Sequence, residues 1–300
     1  MNLADLKAFV AVAETGSINR AALRLGLTQP AATRRVQNFE AAIGAALLDR
    51  SSKPPALTAA GRQVLEHCRR VLKAVTELEA NAAEQGEPAG ELRIGLSPGL
   101  AEVVLTSPLD DLRRRFPDLQ LRIASQWTAS LIEEVRGGAL DCAVALVTDH
   151  QTIPAQIIAS AIGTEQLVVV SGRNGTLAHR RRRVRVCDLA DAGWVLNPIG
   201  CGYRAALQRA FDRGNETLRV SAEILGYDLQ LSLIARGAGL GLVPRRRFEA
   251  SPHRRRLRVV KIADLALAAT TTMLRSPSLG ILTVAVDHLQ AQIVRKLRHK

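Results

Sequence analysis

The segment Gly95-Leu96-Ser97-Pro98-Gly99 fits the pattern G-x-S-x-G, in which a serine between two glycines can act as a nucleophile. In hydrolases with this motif, the serine lies on a turn between a strand and a helix, and the next backbone N–H stabilises the oxyanion. Here the next residue is Pro98, which has no N–H. No histidine lies in a recognisable catalytic setting either, so the sequence predicts that the chain is not an enzyme.

Cysteine and histidine side chains offer metal and redox chemistry. The four cysteines (Cys68, Cys142, Cys187 and Cys201) show no CxxC spacing, and no histidine lies three or four residues from another. Because metal ligands normally cluster, we expect no metal and no cofactor. Reduced thiols of a cytoplasmic protein fit best. Cys201 lies in a predicted loop, and a redox role would need a resolving cysteine, which is absent nearby in sequence.

One predicted helix carries side chains that can recognise nucleic acid. At about 100° per residue, its apolar side chains fall on one face, which we expect to be the core side: Ala32, Val36, Phe39 and Ile43. The opposite face and the exposed start of the helix carry Gln29, Pro30, Thr33, Arg34 and Gln37. Amide, hydroxyl and guanidinium groups hydrogen-bond base edges and phosphates, although a solvated helix face has a similar composition.

The elements before this helix favour DNA recognition over a solvated face. A first amphipathic helix is predicted to end at Gly16, and Ser17 is a good N-cap for a short second helix. Gly26 then makes a short turn, and Thr28 is a plausible N-cap for the third helix. Two helices joined by a short glycine-containing turn are typical of a helix-turn-helix.

The N-terminal region resembles the DNA-binding domain of the LysR family of bacterial transcription regulators, through the segment AETGSINRAALRLGLTQPAATRRVQNFEAAIGAALLDRSSKPPALTAAG. The motifs TGS, AA-x-x-L, L-TQPA and LT-x-AG stand in the order and spacing of the family. The resemblance implies a winged helix-turn-helix over residues 1–58 that binds double-stranded DNA. It implies that the DNA-facing residues are Thr28, Gln29, Pro30, Thr33, Arg34 and Gln37, with Arg50 and Lys53 of the wing as phosphate contacts.

Residues 59–87 are predicted to form one long helix. Its apolar residues are spaced alternately four and three apart, which is a heptad seam: Val64, Cys68, Val71, Val75 and Leu78. The seam either packs on its own chain or pairs with a second copy. The resemblance favours pairing, because LysR regulators dimerise through a linker helix, and it leaves homodimer and homotetramer open.

Residues 88–300 alternate between predicted strands and helices, which predicts an α/β fold with a parallel sheet. The segments FPDLQLRI, GGALDCAVAL and ARGAGLGLVP resemble the LysR effector domain, which has a periplasmic-binding-protein fold. The resemblance implies lobe I at about 91–163 and 267–300 and lobe II at about 164–266. Two crossover strands are expected near Ile162–Gln166 and Leu265–Thr270.

Two turns are predicted to face each other across the cleft between these lobes, each before a helix: Ser97, Pro98 and Gly99 in one, and Pro198, Gly200, Cys201 and Gly202 in the other. Thr128 and Thr148 can add hydroxyl groups at the same rim. Hydrogen-bond donors at helix N-termini favour a small organic anion as effector. The alternative is that these segments are ordinary turns and the cleft binds nothing specific.

The net charge of +13 attracts polyanions such as nucleic acid, although a basic solvated surface has the same charge. Arginine runs in the second half, such as Arg180–Arg183, are either solvated faces or weak nonspecific DNA contacts. No apolar stretch reaches the ~18 residues of a membrane helix, and charges interrupt the first helical stretch, so neither a membrane partner nor a signal peptide is expected. The resemblance leaves a contact with RNA polymerase open.

Overall fold

The structure is a computed structural model that describes residues 2–49, 52, 54–82, 87–148, 151–173, 184–265 and 268–298. The chain divides into two compact units. The first contains Met1–Glu87, Arg136–Ala139 and Ser278–Thr283, and the second contains Pro88–Val135, Leu140–Pro277 and Val284–Lys300. Of the helices within the described ranges, none is both long and apolar enough to cross a membrane.

The first unit begins with three helices and a small hairpin: α1 (Leu3–Thr15), α2 (Ile18–Arg24), α3 (Gln29–Ile43), β1 (Leu48–Asp49) and β2 (Ala56–Leu57). The side chains of Ser17 and Thr28 accept hydrogen bonds from backbone N–H groups of α2 and α3, so both residues are N-caps as predicted. Gly16 ends α1 at a φ of 63°, which glycine adopts without strain.

The core of these helices includes an aromatic pair. The ring of Phe9 in α1 stacks on that of Phe39 in α3, with centroids 5.3 Å apart. Ala32 and Val36 of α3 are also buried, which confirms most of the predicted core face of this helix. The prediction for Ile43 was wrong, because this side chain is 39% exposed. It is the last residue of α3, where Gly44 ends the helix.

A carboxylate holds the hairpin against the end of α3. Oε1 of Glu40 accepts hydrogen bonds from the backbone N–H groups of Leu47 and Leu48, at 2.8 and 3.0 Å. Gly61 also approaches this segment closely, because a Cβ atom there would lie 2.1 Å from the carbonyl oxygen of Leu47. The hairpin corresponds to the predicted wing, and its position therefore depends on α3 and on the helix that follows.

That helix is α4 (Ala59–Ala82), which occupies most of the predicted connector. Leu65 and Cys68 are buried in the core formed with α1 and α3, and Val64 packs against the same core. The assignment of Cys68 to a dimer contact was therefore wrong, because its side chain is 3% exposed in a single chain. Further along α4, Val71 and Leu78 are 47% and 71% exposed, and these positions are free to contact a second copy.

The second unit is α/β. Its elements in chain order are β3 (Gly90–Leu96), α5 (Ala101–Val104), α6 (Ser107–Arg115), β4 (Leu119–Ser125), α7 (Thr128–Arg136), β5 (Cys142–Val147), β6 (Ile158–Gly172), β7 (Trp194–Leu196), α8 (Gly202–Arg213), β8 (Val220–Glu223), α9 (Tyr227–Ala235), β9 (Gly241–Pro244), α10 (Arg245–Ala250), β10 (Leu257–Val260), β11 (Ala268–Arg275) and α11 (Leu282–Arg298). Two helices, α5 and α6, connect β3 to β4.

The main sheet has the strand order β10-β6-β11-β5-β3-β4, with β9 also paired to β6. β3 pairs in parallel with β4 and β5, as predicted. The prediction of a parallel sheet was incomplete, because β11 is antiparallel to both β5 and β6, and β9 and β10 are antiparallel to β6. β11 returns from lobe II in the opposite direction to β6, and this reversal makes the sheet mixed.

Two adjacent strands connect the lobes. β6 pairs with β11 over its first part, up to Gln166, and with β9 and β10 over its second part, from Leu167. The paired strands lie where the two crossovers were predicted, apart from residues 266–267, which are outside the described ranges. In lobe II, Trp194 of β7 is fully buried and contacts Phe211 edge to face, with centroids 5.8 Å apart.

Candidate DNA-binding surface and effector cleft

The predicted recognition helix is α3, and most of its predicted DNA-facing residues are on its surface. Gln29, Pro30, Arg34 and Gln37 are exposed, as is the capping residue Thr28. No ion pair within the described ranges involves Arg34, so its guanidinium is available to a phosphate or to a guanine edge. The N-terminus of α3 also carries the positive end of the helix dipole, which attracts anions such as phosphate.

Thr33 has a narrower role than predicted. Its hydroxyl donates to the carbonyl oxygen of Gln29 at 2.9 Å, so its one hydrogen is used within the helix and the oxygen can only accept. Asn38, which was not predicted, is exposed four residues after Arg34 and therefore on the same face. The helical spacing of Asn38 from Arg34 was the only sequence feature that could have predicted it. The predicted phosphate contacts Arg50 and Lys53 lie outside the described residues.

In the cleft, the predicted hydroxyl groups of lobe I form a closed network. The hydroxyl of Thr128 donates to the carbonyl oxygen of Leu146 at 2.9 Å, and the Leu146 N–H donates to Oγ of Ser97 at 3.2 Å. The Ser97 hydroxyl therefore donates to Oγ1 of Thr128, 3.3 Å away. We expected Ser97 to donate to a ligand, but its hydrogen is used inside lobe I.

The loops of the two lobes meet closely. A Cβ atom on Gly200 would lie 3.4 Å from Trp127, and one on Gly202 would lie 3.3 Å from Oε1 of Gln151. The same Oε1 accepts hydrogen bonds from the N–H and hydroxyl of Thr148, at 3.0 and 3.3 Å. The structure thus brings Thr148 near the turn of lobe II, although the Thr148 hydroxyl has a protein partner.

Gly99 of lobe I also approaches lobe II. A Cβ atom on Gly99 would lie 3.5 Å from the ring of Tyr227 and 3.6 Å from Pro244. Pro98 separates Gly99 from Ser97, and Pro198 accepts a hydrogen bond from the Cys201 N–H at 3.1 Å. The predicted turns therefore lie at or beside the junction of the lobes, and the hydroxyl groups of Ser97, Thr128 and Thr148 all have protein partners.

The sequence did not identify the polar cluster beneath this junction. Glu165 of β6 is buried, and its carboxylate forms an ion pair with Arg246 of α10. Nη1 of Arg246 and the hydroxyl of Tyr203 are buried and have no hydrogen-bond partner among the described residues. Burial raises the pKa of the Tyr203 hydroxyl well above its usual value, and Tyr227, Glu165 and Cys201 raise it further. Tyr203 is therefore a neutral donor at physiological pH.

Cys201 is the N-cap of α8. Burial raises the pKa of its thiol, although the backbone N–H groups of Tyr203 and Arg204 act in the opposite direction. The thiol is therefore mostly protonated at neutral pH, whereas fast reactions of cysteine require the thiolate. None of the four cysteines, all of which lie in the described ranges, forms a disulfide bond. Within the described residues, no group of three or more histidine, cysteine or acidic side chains is arranged to bind a metal.

A helix-turn-helix with a wing, followed in the chain by a long helix and a two-lobed α/β unit, is the architecture of a DNA-binding protein with a second, α/β domain. The family profile "Bacterial regulatory helix-turn-helix protein, lysR family" matches residues 3–62, and "LysR substrate binding domain" matches residues 85–298. The chain belongs to the LysR family. It is therefore a LysR-type DNA-binding transcriptional regulator with a substrate-binding domain, and this family consists of regulators and not of enzymes.

Curated relatives cover both units. A probable hydrogen peroxide-inducible genes activator of Streptomyces viridosporus is 29% identical over 98% of this chain and 97% of its own length. The regulator ShiR of Corynebacterium glutamicum is 31% identical, with 81% of each chain covered. Among solved structures, a full-length OxyR variant from Pseudomonas aeruginosa has a TM-score of 0.78 at 20% identity and covers 98% of this chain and 94% of its own. At that identity the likeness shows the fold alone.

Proposed function

We propose that a small organic anion, bound between the two lobes, switches the activity of this regulator. The observation that supports the proposal is a pair of buried donors that have no hydrogen-bond partner among the described residues, the Tyr203 hydroxyl and Nη1 of Arg246. Buried donors are nearly always hydrogen-bonded, because an unsatisfied one loses its hydration without compensation. A ligand with carboxylate or phosphate oxygens would satisfy both donors at once.

The charges of the cluster favour an anion over a cation. Glu165 and Arg246 neutralise each other, so an added carboxylate meets a neutral pair whose Nη1 still has no hydrogen-bond partner among the described residues. Helix α8 has twelve residues and begins at Gly202. Its N-terminus adds the positive end of the helix dipole to this cluster. A cation would instead meet the carboxylate of Glu165, which is already paired with Arg246.

Hydrogen peroxide is a second candidate, because several relatives are named as hydrogen peroxide-inducible activators. The environment of Cys201 argues against thiol chemistry here, since burial raises the pKa of the thiol. We therefore favour reversible binding of an anion over oxidation of Cys201.

We further propose that the protein acts in the cytoplasm as a homodimer or homotetramer held by the exposed side of α4. DNA reading is assigned to Gln29, Arg34 and Gln37, with Asn38 beside them. The contact with RNA polymerase stays a prediction.

Thermal melting of the purified protein with a library of small acids tests the effector proposal, because a ligand of the native state raises the melting temperature. Tyr203→Phe removes only the hydroxyl, and Arg246→Lys keeps a charge beside Glu165 while it removes Nη1. Both variants should lose most of the stabilisation by the best acid. Arg245→Gln, at an exposed neighbouring position, is the control and should behave like wild type.

Two outcomes would contradict the proposal: a best ligand that is neutral or cationic, or equal stabilisation of wild type and Tyr203→Phe. Adding hydrogen peroxide to wild type and Cys201→Ser tests the alternative. A response to peroxide that requires Cys201 would favour oxidation over anion binding.

A further inference from the structure

Lobe II carries a second concave surface that none of the cleft residues lines. It is a cavity of about 730 Å³ between the end of β6, the turn before β7, the end of α9 and the 3-10 turn Arg254–Arg256. Its charged and hydroxyl-bearing lining residues are Ser171, Arg173, Asp191, Arg236, Arg255 and Arg256. This lining is basic, with four arginines against one aspartate and hence a formal charge of +3.

Among the described residues, no carboxylate neutralises these four arginines. In the part of the chain that the structure describes, none of them forms an ion pair, and none lies within 4.0 Å of the carboxylate of Asp191. Nη1 of Arg173 donates to the carbonyl oxygen of Arg255 at 3.2 Å, and the Arg173 N–H donates to that of Arg256 at 2.8 Å. These bonds hold Arg173 beside the arginine turn, so several guanidinium groups share one cavity.

Ser171 adds an independent observation. Its side chain is 3% exposed, and its hydroxyl has no hydrogen-bond partner among the described residues. A buried serine whose hydroxyl has no partner is less stable in the folded protein than an alanine at the same position, because its hydration is lost without a replacement hydrogen bond. A ligand oxygen at the cavity wall would give this hydroxyl an acceptor.

We propose that this cavity binds a small phosphorylated anion, at a site separate from the effector cleft. Guanidinium groups match phosphate oxygens because they donate two parallel hydrogen bonds and stay charged at all physiological pH values. A ligand with at least two phosphate charges balances the excess of arginine. The same phosphate chemistry exists on DNA, but a concave cavity favours a small ligand over a stiff duplex. The proposal does not depend on the effector cleft.

Calorimetric titration of the full-length protein with inorganic pyrophosphate tests the site. Arg236→Gln should weaken binding about tenfold, which is the scale of one charge-assisted hydrogen bond. Ser171→Ala should weaken it severalfold, and Asp191→Asn should strengthen it severalfold because a repelling charge is removed. Arg213→Gln makes the same charge change at an exposed position of lobe II outside the cavity and should leave the affinity unchanged.

The lack of any binding at millimolar pyrophosphate would overturn the proposal. So would an equal loss in Arg236→Gln and Arg213→Gln, because the general basic field would then explain the binding. Duplex DNA is the second probe, measured by anisotropy over a range of salt concentrations. If Arg236→Gln reduces the salt dependence of DNA binding and leaves pyrophosphate affinity unchanged, the arginines contact DNA and the small-ligand site is wrong. All these positions except Ser171 are exposed, so melting should show intact folding.

Discussion

The exposed side of α4 gives the sharpest test of assembly, through the variant Leu78→Gln. Leu78 is 71% exposed in the single chain, whereas Cys68, three helical turns earlier, is 3% exposed. Burying a whole leucine side chain contributes about 1.5–3 kcal/mol, so covering the exposed part in a dimer is worth about 1–2 kcal/mol per chain. In a twofold-symmetric dimer both chains bury this leucine, so the total contribution is about 2–4 kcal/mol. This corresponds to a change of roughly 30- to 1000-fold in the dissociation constant of the dimer.

Analytical ultracentrifugation over a dilution series measures that constant. Glutamine has a helix propensity close to that of leucine, so α4 itself should be retained. Cys68→Ala is the matched control, because it alters the core of the single chain: it should lower the melting temperature and leave association unchanged. If Leu78→Gln associates as tightly as wild type, the exposed side of α4 does not form the dimer contact.

Three further predictions concern the first unit. Gln29→Ala and Arg34→Ala should each remove roughly 1–3 kcal/mol of discrimination at one base position, measured by footprinting, and unchanged specificity in both would refute the assignment of α3. Gly61→Ala should lower the melting temperature by several degrees, because its Cβ atom would lie 2.1 Å from the Leu47 carbonyl oxygen; an unaltered melting curve would contradict the close approach. Burial raises the pKa of the Cys68 thiol from 9.0 to about 11, so the folded state keeps a proton that the unfolded chain releases. The free energy of unfolding, measured by chemical denaturation, should therefore fall as the pH rises from 9.0 to about 11. In Cys68→Ala this fall should be shallower.

The sequence predicted the helix-turn-helix well because its signals are local. Caps such as Ser17 and Thr28 act within three residues, and the core face of α3 follows from helical periodicity. Ile43 had the right spacing but lies at the helix end, where a periodic pattern does not show how far the core extends. The sequence could not show that Cys68 is buried within its own chain while Leu78 is exposed, because both positions fit the same heptad pattern.

The sheet and the cleft were harder, because they depend on contacts between distant parts of the chain. The antiparallel placement of β11 brings residue 271 beside residue 163, a pairing that no local pattern contains. Glu165, Tyr203 and Arg246 likewise come from three separate elements, and each looks ordinary in its own segment. Ser97 was predicted to face the cleft, but the acceptor of its hydrogen, Thr128, lies on α7.

The paired strands β6 and β11 also determine how the lobes can move. β6 continues through the junction as one strand, and β11 pairs with it from Ala268 onward, with one irregularity between Thr271 and Thr272. A rotation of one lobe must therefore twist or bend a two-stranded ribbon, since there is no loop in this stretch of β6 whose dihedral angles could change freely. Such a ribbon allows small rotations and resists large ones, and it returns to its resting twist when the ligand leaves. Amide hydrogens of β6 should stay protected from exchange in both states, while those of the turns at Gly99 and Gly200 change.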